Sequence, residues 1–186
     1  MAIEAFDRAN GEDPRRQRFE GRDHSRELAF SRRVTHWLLR LTPDAAEAVQ
    51  LAARGHTLRR WEIPRTRYPN DTSGYHAWRE ATAAHSADAA ETLLRPIGYS
   101  DELIRRVRQL ITRELFPRDS DAQRLEDADC LAFLELKLTD YLDRWDEERL
   151  ARILNGTWMK MSKGARTLAR QMPLDPRVGP LLQRLP

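Results

Sequence analysis

Four side chains able to hold a divalent metal fall on apolar faces of separate helical patterns: Glu27, His56, His85 and Asp127. Burying an ionisable group is costly unless it is paired or ligated, so each of them demands a partner. At about 100° per residue, His56 continues the stripe of Ala45, Val49, Ala52 and Ala53, and His85 continues that of Tyr75, Trp78 and Ala81. Asp127 precedes Leu131, Leu134, Leu138, Tyr141 and Trp145 on one face, and Glu27 lies below Phe30, Val34, Trp37 and Leu38. Imidazole and carboxylate together suit manganese, zinc or iron, and such a centre could activate a water toward a phosphoester. Taken singly, each residue reads at least as well as a core group hydrogen-bonded to an ordinary partner. The convergence of four is what points to a site. His36 falls opposite the apolar stripe of its helix and His76 just inside a helix start, so both are expected to face solvent.

Basic and aromatic residues flank this set. Arg59, Arg60, Arg65 and Arg67 bracket the segment after His56, and Tyr68, Tyr75, Trp78 and Arg79 open the next helix. Guanidinium beside an aromatic face is what a nucleotide or other phosphate ester would need. Arg60, Arg65, Tyr68, Arg79 and Lys160 are therefore the expected ligand-binding residues; the alternative is a solvated arginine face with aromatics packing the helix ends. Lys160-Met-Ser-Lys-Gly164 is similar to the KMSKS loop of class I aminoacyl-tRNA synthetases. That loop works beside a parallel-sheet nucleotide domain, for which no βαβ pattern exists here. Lys160 and Lys163 are expected to be solvated or to contact an anion.

These residues need elements to position them. A chain of 186 residues, 40% hydrophobic and 33% charged, suits one domain with one substantial core. Its net charge of +3 comes almost wholly from arginine, since Lys137, Lys160 and Lys163 are the only lysines. No lysine-arginine tract appears, so a nucleic-acid partner has little support beyond arginine content. No apolar run could span a bilayer, and Met1 to Asp7 do not resemble a secretory signal, so a cytoplasmic protein without a membrane partner is expected. Cys130, the one cysteine, excludes an intrachain disulfide and a cysteine-rich zinc site. Among Leu131, Phe133 and Leu134 it reads as a small buried hydrophobe.

Helical spacing dominates, and sustained period-two alternation is absent. A short first helix is followed by a charged connector over 11–23. Helices are then predicted from Asp23 or Ser25 to Leu41, from Thr42-Pro43 to Arg60, and, after a Pro- and Gly-containing loop, from Tyr75 to Arg95. Others run from Ser100 to Pro117, from Asp119 or Ser120 to Trp145, and from Glu147 to Lys163. The expected fold is all-α, a compact bundle of about six helices, with one domain over 1–172 and a Pro-rich tail over 173–186.

Three stretches carry a family likeness: His56-Thr-Leu-Arg-Arg-Trp-Glu-Ile-Pro-Arg-Thr-Arg-Tyr-Pro69; Gly74-Tyr-His-Ala-Trp-Arg79 with His85; and Leu125-Glu-Asp-Ala-Asp-Cys-Leu-Ala-Phe-Leu-Glu135. With Thr157-Trp-Met-Lys-Met-Ser162, they closely resemble the domain-of-unknown-function 4202 family over about residues 3 to 172, a likeness that brings no activity with it. More distantly, Leu51-Ala-Ala-Arg-Gly-His56, the helix opening at His85, and Glu126-Asp-Ala-Asp-Cys-Leu131 resemble the HD superfamily of metal-dependent phosphohydrolases. That resemblance implies an HD-like bundle in which His56, His85 and Asp127 hold the metal. Thr57 stands where the defining dipeptide has its Asp, and the first-helix His has no clean match, His24 having the better spacing and Glu27 the better facing. A rebuilt site would use Glu27 or Glu62, with Asp127 and Glu62 as catalytic carboxylates. The implied function is metal-dependent hydrolysis of a nucleotide or other phosphate ester. The alternative is a metal-free, non-catalytic nucleotide- or RNA-binding protein on the same scaffold.

Overall fold

The computed structural model describes residues 1–19 and 21–185; Glu20 and Pro186, which belong to the predicted connector and tail, lie outside them. Helix α1 (Ala2–Gly11) buries Phe6 completely. Strands β1 (Arg16–Phe19) and β2 (Arg22–Ser25) then pair antiparallel, with Arg16 opposite Ser25 and Gln17 opposite His24. Gly21 takes φ of 76°, a left-handed turn conformation open to glycine at little cost. The predicted charged connector is thus partly a hairpin.

Helix α2 (Arg26–Leu41) buries Ala29, Phe30, Val34, Trp37 and Leu38, the face that the 3.6-residue spacing predicts. Residues 42–45 form a turn closed by Ala45 N–H donating to the Thr42 carbonyl, so α3 begins only at Glu47 and runs to Gly55. Helix α4 (Thr72–Leu94) is capped by Asp71, whose carboxylate accepts from the Gly74 amide at 2.7 Å. Its buried stripe is Thr82, Ser86, Ala90 and Leu94, one position on from the stripe predicted through Ala81 and His85. Ser100 caps α5 (Asp101–Thr112), which turns Ile104, Val107, Leu110 and Ile111 inward.

Asp119 caps α6 (Ser120–Ala132), which packs against α2 and α3. The predicted helix to Trp145 leaves α geometry at Ala132, passing through a π turn at Phe133–Lys137 and a 3₁₀ turn at Leu138–Tyr141. The predicted helix over 147–163 is two, α7 (Glu147–Trp158) and α8 (Lys163–Gln171), with Ser162 capping the second. Helix α9 (Gly179–Gln183) follows, with Val178 and Leu182 buried. Among the described residues there are therefore nine α-helices and a hairpin in place of about six helices. The all-α character stands; the HD-like part of the expectation does not, for reasons given by the site. One core cluster extends from Ala2 to Leu182.

Gly74 carries the tightest constraint. A Cβ there would stand 2.2 Å from the Pro69 carbonyl oxygen, a backbone atom that cannot swing aside, whereas one on Gly156 would meet nothing within 4 Å. Gly74→Ala should cost roughly 1–3 kcal/mol by overpacking. Gly156→Ala, on the exposed side of α7, should gain up to about 1 kcal/mol of helix propensity. Urea unfolding of both variants checks this, and similar responses from the two would contradict it.

Candidate functional site

The first turn of α2 delivers Glu27 into the interior with 3% of its side chain exposed. The Asp13 carboxylate prepares the position by accepting from the Glu27 amide at 3.1 Å and from the Arg15 amide and guanidinium at 2.9–3.0 Å. Arg15 also donates to Glu27 Oε1 at 2.9 Å. The other oxygen, Oε2, receives no hydrogen bond among the described residues and faces the Lys137 ammonium at 3.5 Å. Burial alone would raise the Glu27 pKa, but Lys137, then Arg60, Arg15 and His56, outweigh it and hold the carboxyl at about 2. Lys137 moves for the opposite reason. Burial pushes its amine down to about 8; Glu27 and Asp129 oppose this, while Arg60 and Arg26 add to it.

Lys137 ends the π turn, a feature that recurs at functional sites because it re-aims side chains by a fraction of a turn. The turn is gripped from α2 and the hairpin. Arg33 pairs with Glu135, Trp37 Nε1 donates to the same carboxylate at 2.8 Å, and Gln17 Nε2 donates to the Leu136 carbonyl at 3.0 Å. Arg26 pairs with Asp140 just beyond.

A second charged cluster shares one wall with the first. The Phe30 ring lies 3.4 Å from the Lys137 nitrogen on one side and 5.8 Å from the His56 ring on another. His56 Nδ1 faces the Ala53 carbonyl at 3.0 Å and Nε2 faces Asp129 Oδ1 at 3.1 Å, so both ring nitrogens are engaged. Arg113 bridges Asp129 at 2.6 Å and Glu126 at 3.2 Å, and Lys160 approaches Glu126 at 3.7 Å. Although burial opposes it, the His56 hydrogen bond and the Arg113 charge hold Asp129 well below the usual carboxylate range. Cys130, in the same stretch of α6, is buried, and burial with Glu126 and Asp129 pushes its thiol up, which makes it unreactive.

The four predicted metal ligands are not brought together. His85 sits at the α4 edge with its side chain 32% exposed, bonded to Glu62 at 2.9 Å. Asp127 is buried but faces the other way, accepting from the Ser162 amide at 2.7 Å and from Gln123 at 3.0 Å; burial raises its pKa against those bonds. Glu27 is committed to Arg15 and Lys137. Among the described residues no three His, Cys, Asp or Glu side chains could hold a metal ion. The expected divalent-metal centre of His56, His85, Asp127 and Glu27 is therefore not formed, and no HD-like metal cluster is present among the described residues. Thr57, at the position of the missing HD aspartate, is fully buried and its hydroxyl finds no hydrogen-bond partner among the described residues.

The predicted ligand-binding residues divide. Arg60 lies over the Trp78 ring at 4.5 Å and Arg79 over Tyr75 at 5.8 Å, the two rings being 6.1 Å apart. Arg65 donates to the Tyr68 and Asp71 carbonyls and shapes the loop instead. Lys160 stands apart, beside Glu126. Two open concavities, of about 430 Å³ between α7 and α9 and about 570 Å³ at the end of α4, include none of these residues.

The model of the domain of unknown function DUF4202 matches residues 1–182. The chain belongs to the DUF4202 family. That match gives no support to a relationship with the HD superfamily, and no curated protein and no solved structure matches the chain. In this DUF4202 protein the residues that sequence reasoning missed are Asp13, Arg15, Arg113, Asp129 and, above all, Lys137. One signal was available: Lys137 is one of three lysines and, with Glu135, interrupts the apolar run from Leu131 to Leu138. Among the described residues no helix is long and apolar enough to cross a membrane.

The depressed Glu27 pKa has a definite sign in stability. The folded value of about 2 lies below the ordinary 4.5, so the stabilisation is full above pH 4.5 and is lost as pH falls from 4.5 toward 2. A shift of that size in a fully buried group is on the order of 3 kcal/mol. Glu27→Gln should therefore lose stability at pH 7, and its deficit against the native protein should shrink between pH 4.5 and pH 3. Urea titrations at those pH values measure it; a deficit constant with pH would contradict the assignment.

Proposed function

We propose that this protein binds a nucleotide or another aromatic phosphate ester, without a metal, on the face formed by Arg60, Tyr75, Trp78 and Arg79. The supporting observation is the pair of guanidinium-aromatic stacks, Arg60 on Trp78 and Arg79 on Tyr75, standing side by side. Among the described residues neither guanidinium has a carboxylate within ion-pairing distance. Arg60 also acts electrostatically on the interior pair, lowering the pKa of both Glu27 and Lys137. A planar guanidinium already laid against a ring keeps its N–H edge free for the two oxygens of a phosphate.

Tyr75 is 42% exposed, which leaves a ring face on which a base can stack. The platform is held from behind. Trp78 Nε1 donates to the Ile63 carbonyl at 2.9 Å, and Arg65 fixes the loop that leads into α4. Arg65 and Tyr68 serve this reading as supports, and Arg60 and Arg79 as phosphate ligands.

Melting curves with nucleoside mono-, di- and triphosphates, inorganic phosphate and a short RNA, all in chelator and low salt, test it. A ligand at a hundred times its Kd adds about 2.7 kcal/mol of stability. A nucleotide should raise the melting temperature, and Arg79→Gln and Tyr75→Ala should abolish the rise while leaving the unliganded protein folded. No shift with any compound, or a shift indifferent to both substitutions, would overturn the proposal. A shift from RNA alone would replace it with the nucleic-acid reading.

A further inference from the structure

One short turn supplies two different groups to one face of α4. Arg60–Glu62 forms a single 3₁₀ turn, and α4 fastens it at both ends. Ser86 Oγ donates to the Leu58 carbonyl at 2.9 Å before it, and Trp78 Nε1 donates to the Ile63 carbonyl at 2.9 Å after it. Within the turn, Arg60 lies over the Trp78 ring, and Glu62 Oε2 faces His85 Nε2 at 2.9 Å. Trp78 and His85 are about two helical turns apart on α4, so they project within about 20° of each other and about 10 Å apart along the axis. Arg59, which opens the turn, has φ of 52°, a left-handed conformation that residues with a side chain rarely adopt. Such residues cluster at active sites and ligand clamps, where the surroundings enforce them.

The pairing with Glu62 fixes what the His85 imidazole can do. A carboxylate only accepts, so Nε2 carries the hydrogen and Nδ1 keeps its lone pair. Among the described residues Nδ1 makes no hydrogen bond. Glu62 is held in turn through Oε1, which Arg59 approaches at 3.8 Å. The His85 and Glu62 side chains are 32% and 40% exposed, so water and substrate reach them from solvent and no cavity is needed. A proton acceptor with an orienting group behind it is the arrangement of general-base catalysis.

We propose that His85, oriented by Glu62, is a general base that directs water onto the terminal phosphoryl group of a nucleoside di- or triphosphate. The inference rests on the nucleotide platform of Arg60, Tyr75, Trp78 and Arg79 and adds a reaction to it. The water oxygen forms a bond to phosphorus while its proton passes to His85 Nδ1 and on to solvent. The bond from phosphorus to the bridging oxygen breaks, and that oxygen keeps the electron pair. The products are inorganic phosphate and a nucleotide one phosphate shorter, and water is the only co-reactant. A single base selects a phosphoanhydride. The leaving phosphate departs as an anion that Arg60 and Arg79 stabilise, whereas an alkoxide leaving a monoester needs an acid to protonate it. Glu62 is a positioning residue, acting through His85 and not on the phosphate.

Two measurements on the full chain, both in chelator, separate binding from turnover. Phosphate release from ATP, GTP, ADP and AMP gives the rate, and nucleotide melting shifts give binding. The di- and triphosphates should be hydrolysed and AMP should not. His85→Ala should lose at least about a hundredfold in kcat with its nucleotide melting shift intact. Added imidazole should restore part of that rate, which a merely structural histidine would not allow. Glu62→Gln should lower kcat at least about tenfold with KM little changed. A melting shift without phosphate release would overturn the reaction and leave the binding platform standing. Neither shift nor release would overturn both. Hydrolysis indifferent to His85→Ala, or a loss that imidazole does not rescue, would remove His85 from the role of base. AMP hydrolysed as fast as ADP would overturn the phosphoanhydride class.

Discussion

A carboxylate almost out of reach of water stands at the start of α2, and its surroundings keep it charged. Glu27 receives Arg15 through one oxygen and faces Lys137 with the other, while Asp13 holds both its backbone amide and the Arg15 guanidinium. Removing one partner from such a group leaves an uncompensated buried charge, which costs far more than the intact pair contributes. The elements that supply the partners are thereby tied to one another: the segment before the hairpin, the first turn of α2 and the π turn after α6.

The same constraint explains why the helix after α6 fails to continue. An α-helix through residue 145 would keep Leu131, Leu134 and Leu138 in register but would not fix where Glu135 and Lys137 project. The π turn adds the small rotation that lets α2 take Glu135 through Arg33 and Trp37 and Lys137 through Glu27. Phe30 then separates two charged clusters that share it as a wall, the Glu27 group and the His56–Asp129–Arg113 group. Arg60 acts on the first of these from the side on which Trp78 and Tyr75 reach the surface. Arg60 therefore links the buried Glu27–Lys137 pair to the aromatic platform outside.

Much of the fold was legible where one face of a helix is apolar and the other polar. Phe30, Val34, Trp37 and Leu38 of α2, and Ile104, Val107 and Leu110 of α5, are buried as their spacing demands. The caps Ser100 and Asp119 also lie where short polar side chains precede apolar runs. Helix α6 shows why the site was not. Leu125, Glu126, Asp127, Ala128, Cys130, Leu131 and Ala132 are all buried, so periodicity could not tell which acid faces His56. It chose Asp127, and the partner is Asp129. The stripe of α4 was displaced by one residue because its core face is built from Thr82, Ser86 and Ala90, small residues that carry little hydrophobic signal. That displacement put His85 inside when it lies at the edge. The π turn left no mark that a helical period could register, since the contacts that hold it, from Glu27, Arg33, Trp37 and Gln17, are all long-range.

The central claim is that Glu27 and Lys137 are energetically coupled and hold α2 to the π turn. A double-mutant cycle with Glu27→Gln, Lys137→Met and both together, read by urea unfolding at pH 7, measures it directly. The account predicts a coupling of at least about 1.5 kcal/mol, with the double variant more stable than the sum of the single losses implies. Losses that add to within about 0.5 kcal/mol would contradict it.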